Sequence, residues 1–123
     1  MIGYVTLGVS DMERAKAFYT ELLSDFGATV QFDGGRIAMI GKSMAEPMLS
    51  VCIPYNEEPP TPGNGSMVAL PASSKAQVDE LYHKAIKLGA TCDGEPGQRI
   101  PDMFYGAYFR DPDGNKLAFF VFG

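Results

Sequence analysis

One pattern of residues occurs twice along the 123-residue chain, about half a length apart. Its first copy opens on Tyr4-Val5-Thr6-Leu7-Gly8-Val9, where large apolar residues alternate with smaller or more polar ones, as in a half-buried strand. Ser10 followed by Glu13 fits a capping box, and Ala15, Phe18, Tyr19, Leu22 and Phe26 then recur at helical spacing until Gly27 supplies a stop. The second copy has Met67-Val68-Ala69-Leu70 as its strand, Ser74 and Gln77 as its cap, and Val78, Leu81, Tyr82 and Ala85 as its stripe. An offset of 63 residues carries Ala15, Phe18, Tyr19 and Leu22 onto Val78, Leu81, Tyr82 and Ala85, and a one-residue slip carries Gly27-Ala28-Thr29 onto Gly89-Ala90-Thr91. Such a repeat predicts one supersecondary unit built twice.

After each helix the period returns to two. Residues 36–40 and 48–53 read as strands in the first half, and residues 104–109 and 116–121 in the second. Asp33-Gly34-Gly35 and Asp111-Pro112-Asp113-Gly114-Asn115 have the chemistry of hairpin turns, so that Asp111 and Asp113 read as turn formers rather than as an acidic pair for catalysis. Each half is thus strand, helix and three strands. Glu57-Glu58-Pro59-Pro60-Thr61-Pro62-Gly63-Asn64-Gly65 interrupts regular structure, which gives module one as residues 1–56, a linker as 57–65 and module two as 66–123 of a single domain. The predicted fold is α+β, two βαβββ modules whose eight strands form a curved mixed sheet with the helices on its outer face.

The composition, 46% hydrophobic and 20% charged, is that of one globular domain. A net charge of −5 with no basic stripe argues against nucleic acid as a partner. No apolar run approaches the roughly 20 residues of a membrane span, and no charged leader precedes Tyr4, so a cytoplasmic location is expected. Cys52 and Cys92 stand forty residues apart, a spacing that supports neither a disulfide framework nor a zinc site. His83, the one histidine, falls off the apolar stripe of its helix and is expected to face solvent.

Val9-Ser10-Asp11 leading into a helix with Phe18-Tyr19, together with the last hairpin Phe109-Arg110-Asp111-Pro112-Asp113-Gly114-Asn115, resembles the vicinal oxygen chelate superfamily over essentially the whole chain. That superfamily includes glyoxalase I, extradiol dioxygenases, fosfomycin-resistance enzymes and bleomycin-resistance proteins. The resemblance implies the double βαβββ fold and a homodimer. It also implies four inward positions that carry His, Glu or Gln, His and Glu in metal-dependent members. Here those positions are Tyr4, Ser50 or Cys52, Met67 and Ala118. Alanine has no donor, the thioether of methionine is soft, and a phenol must lose a proton with an ordinary pKa of about 10 before it ligates. No metal and no other cofactor is therefore expected, and classical glyoxalase, dioxygenase or fosfomycin-type chemistry is disfavoured with the loss of the last carboxylate.

Strand alternation places Tyr4, Thr6, Met67, Ala118 and Phe120 on the face away from the helices, with Ser50 or Cys52 beside them and Tyr105 in an aromatic wall. These eight residues are the candidate ligand-binding set, and no catalytic residue is assigned. The expected function is a metal-free protein binding a small apolar or aromatic molecule, for which the acidic balance suits a cationic one. A metal-independent lyase or isomerase using Tyr4 or Cys52 is the alternative, and an interaction module with a filled cleft is a third.

Overall fold

The computed structural model describes residues 1–123. The strands and helices follow in the order β1 (Tyr4–Gly8), α1 (Met12–Leu22), β2 (Thr29–Asp33), β3 (Ile37–Gly41), β4 (Met48–Cys52), β5 (Val68–Pro71), α2 (Lys75–Lys87), β6 (Thr91–Ile100), β7 (Phe104–Arg110) and β8 (Lys116–Phe122). The repeat is therefore literal, strand–helix–three strands, twice. Hydrogen bonding divides the eight strands into two mixed four-stranded sheets of the same order, β1-β4-β3-β2 and β5-β8-β7-β6, with β1 parallel to β4 and β5 parallel to β8. The chain forms two compact units, Met1–Thr61 and Pro62–Gly123, and the division falls inside the proline-rich stretch.

Each helix covers one face of its own sheet. Ala15, Phe18, Tyr19 and Leu22 of α1 are buried, as are Val78, Leu81, Tyr82 and Ala85 of α2, the stripes that their spacing predicts. Beneath α1 lie Ala38, Ile40, Leu49 and Val51, and beneath α2 lie Ala107, Phe109, Leu117 and Phe119, all buried. Burying such a side chain stabilises the fold by about 1.5–3 kcal/mol, so each unit has a core of its own. In the second, Phe109 and Phe119 stack with ring centroids 5.4 Å apart.

Local signals explain the helix ends, with one correction. Ser74 caps α2 by accepting from Gln77 N at 3.0 Å, while Gln77 Oε1 accepts from Ser73 N at 2.6 Å, one residue before the cap. In α1 the cap is Asp11 rather than Ser10. Its carboxylate accepts from Arg14 N at 3.0 Å, whereas Ser10 Oγ accepts from the Arg14 guanidinium at 3.2 Å. With Met12 as the first helical residue, Glu13 sits one position too early to close a box. After α1 a 3-10 turn over Leu23–Phe26 runs to Gly27, whose φ of 73° is the left-handed conformation that glycine permits.

The Asp111–Asn115 turn confirms its reading. Asp111 Oδ1 accepts from the backbone amides of Asp113 at 2.9 Å and Asn115 at 2.8 Å, and Oδ2 accepts from Asn115 Nδ2 at 3.0 Å. Both Asp111 and Asn115 are 3% exposed, so this carboxylate organises the β7–β8 hairpin instead of facing a ligand. That hairpin in turn fixes which residues of β7 and β8 share a face.

Candidate functional site

Register assigns the faces, because paired residues on neighbouring strands project to the same side. In the first sheet Thr6 pairs with Ser50 and Met39 also pairs with Ser50, while Tyr4 pairs with Met48 and Gly8 with Cys52. Tyr4, Thr6, Met39, Met48, Ser50 and Cys52 therefore share the helix-free face, opposite Leu49 and Val51. The sequence leaves open whether Ser50 or Cys52 points there. Both do, since they are two residues apart on one strand.

Ser50 lies at the middle of this face and is the odd member of it. It is fully buried, and its Oγ is the buried side-chain oxygen or nitrogen that has no hydrogen-bond partner. Leaving such a hydroxyl unsatisfied costs about 1–3 kcal/mol. Tyr4 is 51% exposed on the same face, Phe32 of β2 is 47% exposed, and Cys52 is a half-buried free thiol.

In the second sheet Ala69 pairs with Ala118, Pro71 with Phe120, Ala118 with Tyr108 and Lys116 with Arg110. The helix-free face thus carries Met67, Ala118 and Phe120, as alternation predicts, together with Tyr108, Arg110 and Lys116. Phe104, Phe120 and Phe122 cluster at its far end, with Phe104 and Phe120 stacked at 5.4 Å and Phe120 and Phe122 edge to face at 5.0 Å. Ala118 itself is fully buried.

Tyr105 is a correction. It pairs with Val121 and shares the parity of Ala107 and Phe109, so it points toward α2, where its hydroxyl donates to Asp79 Oδ1 at 2.6 Å. This bond, with burial adding to it, raises the pKa of the phenol. Tyr105 lines a second depression of about 300 Å³ with Asp79, Tyr82, His83, Glu95 and Pro96, on the helix side of the sheet. His83 is exposed there, as its position on the helix predicts. The aromatic wall of the helix-free face is made by Phe104, Tyr108 and Phe120 instead.

The residues at the four chelating positions do not fit a metal. They offer a phenol, a hydroxyl or thiol, a thioether and a methyl group, and nowhere in the chain do three His, Cys, Asp or Glu side chains converge to hold an ion. Sequence reasoning missed Arg110 and Lys116 as site residues. With Gly63, Asn64, Gly65, Ser66 and Met67 they line a cavity of about 370 Å³. The signal was present in the hairpin, because two cations flanking the turn at paired positions must share a face.

The comparisons agree with this architecture. The family profile described as Glyoxalase/Bleomycin resistance protein/Dioxygenase superfamily matches residues 1–119. A glyoxalase/bleomycin resistance protein from Albidiferax ferrireducens T118 is similar at 35% identity and a TM-score of 0.86, with 98% of this chain and 97% of that chain covered. At 20% identity, a solution structure of a protein from Agrobacterium tumefaciens shares the fold, with a TM-score of 0.79 and coverage of 100% and 98%. A hypothetical protein from S. aureus does so at 24% identity and a TM-score of 0.77, with coverage of 98% and 92%. No curated protein matches. No helix is long and apolar enough to cross a membrane. By the profile match over nearly its full length, the chain belongs to the glyoxalase/bleomycin resistance protein/dioxygenase superfamily.

Proposed function

We propose that this chain is a metal-independent binding protein that holds a small, partly apolar molecule on the helix-free face of one or other of its sheets. The observation that carries the reading is the make-up of those faces. Tyr4, Phe32 and Met67 remain 51, 47 and 44% exposed, while Ser50 Oγ, buried and unpartnered, lies on the same face as the first two. Apolar walls with a few polar groups are the ordinary constitution of a small-molecule site. Chelate chemistry has no support from the donors at Tyr4, Ser50, Met67 and Ala118. Metal-independent catalysis at Tyr4 or Cys52 has little, because neither is hydrogen bonded to a side chain that would activate it.

The chain is further proposed to act as a homodimer in the cytoplasm. The exposed free thiol of Cys92 suits a reducing compartment. Thermal-shift screening of the purified protein against small planar apolar molecules tests the main reading. Saturable stabilisation that weakens in Tyr4→Ala and Ser50→Val is the expected result, and a panel in which nothing stabilises the protein overturns it.

A further inference from the structure

The helix-free face of the second sheet is uneven in charge. One end is aromatic, with Phe104, Phe120 and Phe122 in mutual contact. The other carries Arg110 and Lys116, paired across the β7–β8 hairpin, and these two cations line the 370 Å³ cavity with the Gly63–Met67 segment. A chain of net charge −5 therefore presents a locally cationic recess.

The cations are held but not consumed. Asp93 Oδ2 accepts from Arg110 Nε at 3.1 Å and lies 3.3 Å from Lys116 Nζ, so one carboxylate is shared between two positive groups. Arg110 Nη1 donates to the Gly114 carbonyl at 3.1 Å, which leaves Nη2 without a partner inside the chain. Lys116 Nζ also sits 5.2 Å from the centre of the Tyr108 ring. The nearest other carboxylate in sequence, Asp111, is taken up by the amides of its own turn.

In the segment that also lines the cavity, Gly63 and Gly65 have φ of 76° and 98°, and the amides of Asn64, Gly65 and Ser66 donate to no backbone carbonyl. An arginine with a free donor, an ammonium, a serine hydroxyl and unengaged amides around one recess are the groups that bind an oxyanion. Met67 adds an apolar contact.

We propose that this recess binds the carboxylate or phosphate group of a small organic anion, held by Arg110, Lys116 and the Gly63–Ser66 segment that line it. The inference deepens the binding-protein reading and rests on it: net charge points to a cationic ligand, but the charge where a ligand would sit points to an anionic one. Asp93 competes with that anion for both cations, so removing its charge tightens binding.

The test uses four probes of similar shape on the full ¹⁵N-labelled chain: benzoate, phenyl phosphate, benzyl alcohol and benzylammonium, at constant ionic strength. The expected result is saturable shifts of the Asn64, Gly65 and Ser66 amides with one or both anions, which also tells carboxylate from phosphate. Lys116→Gln weakens binding about tenfold, the loss of one charge-assisted hydrogen bond, and Ser66→Ala, outside the sheet, weakens it about threefold. Asp93→Asn strengthens it. Shifts that benzylammonium reproduces, or that persist unchanged in both Lys116→Gln and Ser66→Ala, overturn the anion site. Binding of benzyl alcohol alone overturns the anion site and leaves the binding protein standing. Binding of none of the four overturns both.

Discussion

Ser50 and Asp111 are both buried polar residues, and they do opposite things. Asp111 accepts three hydrogen bonds within its turn, so Asp111→Ala leaves buried donors unsatisfied and should cost about 2–4 kcal/mol in urea denaturation. Ser50 Oγ makes none, so Ser50→Ala loses no internal bond and should leave stability unchanged or raise it by about 1 kcal/mol. A loss above that size in the same experiment would show that the hydroxyl already has a structural partner. The alternation around Ser50 is readable from Leu49, Val51 and Ile53, but its isolation is not, because that depends on which polar groups the neighbouring strands bring alongside. Tyr105 marks a similar limit. Its place in an aromatic run gives no parity, and the pairing of β7 with β8 together with the bond to Asp79 shows that it belongs under α2.

The helices are the most legible elements, since an apolar stripe, a cap and a terminal glycine each act within a turn or two of chain. Ser74→Ala removes the acceptor for Gln77 N and should cost about 1 kcal/mol. The strands carry more long-range information. Gly106 lies on the helix-free face, where an added Cβ would come within 2.7 Å of Phe104 Cε1. Gly106→Val should therefore disturb the stacked Phe104–Phe120 pair, which near-ultraviolet circular dichroism would register.

The contact of α2 with its sheet also sets a pH dependence. The Cys92 thiol beside its hydroxyl, with burial, pushes the Tyr82 phenol up to about 12, and the bond to Asp79 raises Tyr105. The folded state keeps protons that the unfolded chain begins to release near pH 10. This contribution to stability is complete below pH 10 and is lost as pH rises toward 12. Absorbance at 295 nm should show a late-titrating phenol that disappears in Tyr82→Phe, and the same substitution should flatten the alkaline fall in stability. Loss of a phenol that titrates near pH 10 in Tyr82→Phe would refute it.

At the scale of the whole molecule the repeat made the fold readable, because two copies of one grammar admit few architectures and the Asp-Pro-Asp-Gly-Asn hairpin narrows them further. That the eight strands hydrogen bond as two sheets of four is a tertiary outcome that no local signal encodes. Light scattering after gel filtration should give twice the 13.3 kDa chain mass if the homodimer holds, and a mass of one chain would remove it. Function was less legible, since it rests on what the family positions lack and on Arg110, Lys116 and the Gly63–Ser66 segment, which come together only when the chain folds. The claim on which the rest depends is that Tyr4, Ser50, Met67 and Ala118 hold no metal. Inductively coupled plasma mass spectrometry of protein purified without a metal-affinity tag or chelator measures it directly. The predicted result is far less than one equivalent of any transition metal per chain, with no thermal stabilisation by added Zn²⁺, Ni²⁺, Fe²⁺ or Mn²⁺. One equivalent per chain or per dimer, lost together with stability on chelation, would contradict it.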